Sequence, residues 1–122
     1  MENCIFCKIA NGEIPSKTVY EDEIVRVFLD INPHANGHML VVPKKHFTDF
    51  TELDDETLLH INNVVKKMKD HLNETLKPEG IMFGVNYGIC QEVKHYHLHI
   101  IPQYADNRPL DDVDKVYEEL SK

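Results

Sequence analysis

Residues 95–101 read His95-Tyr96-His97-Leu98-His99-Ile100-Ile101, a histidine at every second position with an apolar or aromatic residue between. Successive side chains of a β-strand point to opposite faces. A strand here would put His95, His97 and His99 on one surface and Tyr96, Leu98 and Ile100 on the other. A helix would scatter the same residues around its axis. Imidazole titrates nearer neutrality than any other side chain, so a row of them suits nucleophilic, acid–base or metal chemistry. At a rise of ~3.3 Å per residue, His95 and His99 would stand roughly 13 Å apart at Cα. Zinc binds imidazole nitrogen at about 2.1 Å, so the three are not expected to share one ion, and their roles must divide along the strand.

Other residues able to do chemistry lie ahead of this row. Cys4-x-x-Cys7 has the spacing of half a zinc site, the alternative being two reduced thiols packed beside the core. Asp30 follows Phe28-Leu29 at an expected strand end. A carboxylate there can accept both hydroxyls of a ribose, or cap the turn at Asn32-Pro33. Asn86 and Gln91 carry carboxamides, whose NH2 groups bind anionic oxygens without adding charge. Cys90 reads as incidental, and His34, His60 and His71 read as loop and helix-surface residues without a role.

These residues need elements to position them. The pattern predicts a short helix from Cys4 to Ala10, closed by Asn11-Gly12, then strands at Thr18–Tyr20 and Ile24–Leu29 around an acidic turn. His38 to Pro43 reads as a central strand, apolar on both faces over Met39–Val42. Asp54 or Asp55 caps the long helix, in which Leu58, Ile61, Val65, Met68, Leu72 and Leu76 recur at helical steps, widened by Leu59 and Val64. Lys77-Pro78-Glu79-Gly80 stops it. Ile81–Tyr87 and His95–Ile101 are the last strands, and Asp111–Leu120 a weak terminal helix. About five antiparallel strands with one long helix and short terminal helices make an α+β fold, and residues 1–122 read as a single domain.

The chain of 122 residues carries a formal charge of −8, which argues against a nucleic-acid scaffold because tracking a phosphate backbone needs basic stripes. A small nucleotide is not excluded. No apolar run is long enough to span a bilayer, and no leader of the basic-then-apolar kind is visible, so no membrane partner and a cytoplasmic location are expected. No carboxylate cluster suggests a magnesium-dependent route.

His95–Ile101 matches the His-φ-His-φ-His-φ-φ signature of the histidine triad (HIT) family of nucleotide hydrolases and transferases. Cys4–Ile9, Phe28–Ile31, Gly37–His46 and Asn86…Gln91 fit the family in the same order, and the small bacterial and Hint-like members are the most similar. The resemblance implies an antiparallel sheet with a long helix across it, and a homodimer with that helix and a neighbouring strand at the interface. It implies that His97 attacks the α-phosphate of a purine nucleotide, forming a nucleotidyl-histidine that water cleaves. A neutral imidazole can do this when one ring nitrogen faces the substrate and a backbone carbonyl fixes the other. His99 would stabilise the developing charge.

His38 matches a histidine of the hydrogen-bond network behind the triad, and Gln91 a carboxamide beside the reacting phosphate. Phe6, Ile9, Ile14, Phe28, Leu29 and Ile31 are candidates to enclose the base, ordinary core packing being the alternative for each. Asp30 would hold the ribose, and Asn86 and Gln91 the phosphate. His46 and His95 match positions that complete a structural zinc site with Cys4 and Cys7 in some members. The chain departs from the Hint-like pattern in two places. The Asn86–Gln91 loop is shorter, and Glu92 stands where a Ser often assists the leaving group, so its carboxylate either repels phosphate or faces away. Three readings follow: a hydrolase releasing a nucleoside monophosphate, a catalytically weak nucleotide-binding module with a structural zinc site, or a zinc-dependent hydrolase that works through an open metal position.

Overall fold

The strand Met39–Pro43 is buried along its whole length, as a segment apolar on both faces must be. The computed structural model, which describes residues 3–106 and 108–121, builds the rest of the chain around it. In chain order the elements are α1 (Ile5–Ala10), β1 (Thr18–Glu21), β2 (Val25–Leu29), β3 (Met39–Pro43), α2 (Asp55–Thr75), β4 (Gly80–Gly84), β5 (Leu98–Gln103) and α3 (Val113–Leu120), with 3-10 turns at Phe50–Glu52 and Gly88–Cys90. The five strands form one sheet in the order β1-β2-β3-β5-β4, every neighbouring pair antiparallel. This is the α+β architecture expected from the sequence.

The alternation of the strands sorts their side chains onto two faces. Val25, Val27, Leu29, Met39 and Val41 pack with Ile61, Val64, Met68 and Leu72 of α2. Phe28, Leu40 and Val42 face the other way, against Phe6, Ile9 and Ala10 of α1. Asp54 caps α2, its carboxylate accepting the Thr57 N–H. Two positions of the helix depart from the expected stripe: Leu58 is 50% and Leu59 61% exposed. Helical periodicity marks an apolar stripe but not how far along it a neighbouring element reaches.

The last strands begin and end elsewhere than the pattern suggests. β4 stops at Gly84, leaving Asn86 in the connection to β5, and β5 starts only at Leu98. His95 and His97 therefore lie in a lead-in to the strand, where the Tyr96 N–H donates to the Phe47 carbonyl at 2.6 Å. The alternation persists across this lead-in. Tyr96 and Ile100 are buried on the α2 side with Leu98 against them, while Phe6 on the α1 side meets the rings of His95 and His97 edge-on.

The turn into β3 depends on Gly37, whose φ of +91° lies where side-chain-bearing residues are strained. A Cβ there would stand 2.7 Å from Leu76 Cδ1 and 3.1 Å from Leu72 Cδ2. The substitution Gly37→Ala is expected to cost about 2–4 kcal/mol through strain and overpacking together. A urea denaturation curve indistinguishable from wild type would contradict that account.

Candidate active site

Six imidazoles run along the α1 side of the sheet from His46 to His34, with Phe6 set against the middle of the row. Neighbouring ring centroids lie 4.8 Å apart for His46 and His95, 5.0 Å for His97 and His99, 5.2 Å for His99 and His38, and 5.3 Å for His38 and His34. Hydrogen bonds divide the row into three parts.

In the middle, His97 Nδ1 lies 2.8 Å from the carbonyl oxygen of His95. A carbonyl only accepts, so Nδ1 carries the proton and Nε2 keeps its lone pair. His97 is only 7% exposed, and burial lowers its pKa against the opposing pull of that carbonyl, Asp30 and Glu92. At neutral pH the ring is therefore an uncharged base with its tautomer fixed.

Toward the end of β2, the His34 backbone N–H donates to His38 Nδ1 at 3.0 Å. His38 must then carry its proton on Nε2, which lies 3.0 Å from His99 Nδ1. His99 in turn accepts at Nδ1 and, when neutral, bears its proton on Nε2. One backbone amide thus sets the tautomers of two rings, leaving a base at His97 beside a donor at His99. Burial pushes His38 down to about 4 and lowers His99 as well. Asp30 stands by this pair, Oδ2 being 3.6 Å from His38 Nε2, while its Oδ1 accepts the Asn32 N–H at 2.9 Å. Asp30, His38 and His99 bring three ligand-type atoms within 4.8 Å. The donor chemistry does not fit a cation, because the nitrogen of His38 that would bind it has to hold a proton.

The remaining histidines meet the cysteines. His95 Nδ1 lies 3.3 Å from Cys4 Sγ and 3.4 Å from Cys7 Sγ, and His46 Nδ1 lies 3.2 Å from Cys7 Sγ. The four ligand atoms lie within 4.8 Å of one another. A tetrahedron with zinc–sulfur bonds of ~2.3 Å and zinc–nitrogen bonds of ~2.0 Å has sulfur–nitrogen edges of about 3.5 Å, so this set fits zinc. His95 Nε2 donates to the Pro43 carbonyl at 2.8 Å, which turns the free lone pair of Nδ1 toward the sulfurs. Burial and the neighbouring Cys4 raise the Cys7 thiol to about 11, so a metal binding here would displace protons.

A cavity of about 740 Å³ opens beside the row. Phe6 and Ile9 of α1, Ile14, and Phe28 through Ile31 at the end of β2 border it, with His97, His99 and Asn86. Phe6 and Phe28 meet edge to face at 5.7 Å. Leu29 borders the cavity although its side chain packs in the α2-facing core. Gln91 does not reach the wall: it is buried, with Nε2 donating to the Thr48 carbonyl at 2.8 Å. Gln91, expected at the phosphate, is directed in this structure to the Thr48 carbonyl in the loop after β3, which uses one of its two N–H donors. His38 stands behind His99 rather than on the wall. His34, given no role by sequence, borders the cavity and supplies the amide that orients His38. No sequence signal marks that part, because a backbone N–H is common to every residue but proline. Glu92 and Cys90 also face the cavity.

The depressed pKa of His38 has a consequence for stability. The folded protein binds its proton near pH 4, whereas an unfolded histidine binds it near 6.5. The stabilisation from a neutral His38 is present above pH 6.5 and is lost as the pH falls from there toward 4. His38→Gln is expected to flatten the loss of unfolding free energy over that interval. An equally steep acid slope in the variant would show that His38 is not the group responsible.

Comparison with known proteins accords with this geometry. The HIT domain model matches residues 11–106, a span that begins beyond Cys4 and Cys7. An uncharacterised HIT-like protein of Methanocaldococcus jannaschii is 53% identical, over 83% of this chain and 79% of its own length. The adenosine 5′-monophosphoramidase HNT1 of Candida albicans is 36% identical, over 98% of this chain and 90% of its own. A crystal structure of a zinc-bound histidine triad family protein from Mycobacterium smegmatis gives a TM-score of 0.90 at 32% identity, covering 98% of this chain and 91% of that one. By motif, fold and relatedness, this chain belongs to the HIT family.

Proposed function

We propose that the protein is a nucleotidyl hydrolase that releases a nucleoside 5′-monophosphate, AMP in the first instance, from an amine, acyl or phosphate leaving group. The observation that carries this reading is His97: buried, uncharged, its Nδ1 proton held by the His95 carbonyl, beside a cavity of nucleotide size. The kinship with the Candida albicans phosphoramidase supports the same chemistry.

In the proposed reaction, the lone pair on His97 Nε2 attacks the α-phosphorus. The bond from phosphorus to the leaving nitrogen or oxygen breaks with its electron pair on the departing group, which takes up one proton. Water then attacks the nucleotidyl-histidine, and the P–Nε2 pair returns to His97. In sum, one water supplies a hydrogen to the leaving group and a hydroxyl to phosphorus. The His99 Nε2–H would stabilise charge on the phosphoryl oxygens. Asp30 would take the ribose hydroxyls, with Asn86 at the phosphate, Phe6, Ile9, Ile14, Phe28 and Ile31 around the base, and His38 holding His99 in its tautomer.

Cys4, Cys7, His46 and His95 would hold a zinc ion. Four protein ligands leave it no open position, so its contribution is to tie α1 to the lead-in of β5. We also propose a homodimer: β4 is an edge strand with Met82 and Phe83 exposed, as are Leu58 and Leu59 of α2, and a second copy of the chain would cover them. One observation favours the binding-module reading instead, namely that Gln91 is buried, turned to Thr48, and off the cavity wall.

Adenosine 5′-phosphoramidate separates the two. Wild type should release AMP, and His97→Ala should lose at least about a thousandfold in turnover while staying folded. AMP binding without turnover in wild type would establish the module.

A second assay addresses the metal. Cys7→Ser should lose bound zinc and melt at a lower temperature, whereas His97→Ala keeps its zinc. A metal-free protein that stays folded yet has lost all turnover would point to an open catalytic metal instead.

A further inference from the structure

The charged side chains bordering the cavity are Lys17, Asp30 and Glu92. The Lys17 ammonium is taken by Asp114 at 2.6 Å. Asp30 is occupied by the Asn32 N–H and stands beside His38. Among the described residues Glu92 has no ion-pair partner. The wall therefore presents two carboxylates, the buried ring of His97, the half-buried ring of His99, and no unpaired lysine or arginine. This is an unusual lining for a site that handles phosphate, since binding sites for polyphosphate ordinarily supply cations.

The two carboxylates come from different segments. Asp30 follows β2, whereas Glu92 lies in the connection between β4 and β5. In the sheet order β1-β2-β3-β5-β4, strand β3 stands between the end of β2 and that connection, and both carboxylates act electrostatically on the rings of His97 and His99. With the nucleoside held at Asp30, the carboxylate of the cavity wall left to meet a leaving group is Glu92. We infer that Glu92 selects the leaving group by charge, favouring amines that carry a second, cationic group and rejecting anionic ones such as polyphosphates. The inference rests on the hydrolase reading above and names the leaving-group class for that site. The nitrogen bonded to phosphorus is not the charged one; the cation sits further along the leaving amine, where it meets the carboxylate without entering the bond that breaks.

Three adenosine 5′-phosphoramidates of similar length test this with the full chain: those of butylamine, 1,4-diaminobutane and 4-aminobutanoate, whose tails are neutral, cationic and anionic. In wild type, kcat/KM should fall in the order diamine, butylamine, aminobutanoate, spanning roughly tenfold or more at low salt, and the span should narrow as salt screens the charge. Glu92→Gln should bring the three to within about twofold, and Glu92→Lys should invert the order. A span unchanged in Glu92→Gln, or equal rates for all three in wild type, would overturn the selection and leave the hydrolase reading standing. No turnover of any probe by wild type would sink the hydrolase reading, and the selection with it.

Discussion

His95 is the point through which the site is assembled. Its carbonyl holds the proton of His97, its Nε2 donates to the Pro43 carbonyl at the end of β3, and its Nδ1 faces the sulfurs of Cys4 and Cys7. It is fully buried, so each of these polar groups needs its partner, and losing one would leave an unsatisfied atom in a water-excluded place. The cysteine cluster, the central strand and the neutral His97 ring are thereby joined within one residue. A disturbance of the N-terminal helix would reach His97 through His95 as well as through Phe6, which packs on the His97 ring at the cavity wall.

The electrostatics of the row follow from burial. Imidazolium would be costly here, and the rings of His38, His95, His97 and His99 all have their pKa values lowered, with desolvation the largest cause in each case. Neutral rings must be told which nitrogen bears the proton, and backbone groups do this. The His95 carbonyl fixes His97, the Pro43 carbonyl fixes His95, and the His34 amide fixes His38 and through it His99. Backbone partners suit the task because they add no net charge beside a group that must stay neutral. A base and a donor stand side by side as a result.

Much of this was legible in the residues. The period-two pattern at 95–101 placed the histidines on one face even though the regular strand begins only at Leu98, because alternation needs extended backbone rather than ladder hydrogen bonds. The apolar run at Met39–Val42 marked the central strand, and the helix over Asp55–Thr75 followed from its stripe and cap. Gln91 was placed at the phosphate by its position in the motif and is instead bonded to Thr48, a partner 43 residues away that no local pattern contains. Leu58 and Leu59 looked like core because their spacing is right; coverage, not spacing, decides burial.

The sequence by itself determined the chemistry present: which side chains can attack, donate or ligate, and that three histidines share a face. That follows because side-chain type and strand periodicity are local properties. The tertiary structure alone decided how these groups are charged and aimed. It brought Cys4 and Cys7 to His95 across about ninety residues of chain, set each tautomer through a backbone atom, paired Lys17 with Asp114, and left Glu92 facing the cavity with no ion-pair partner among the described residues. Desolvation and hydrogen-bond direction depend on what the fold packs against a residue, and that surrounding is made from the whole chain.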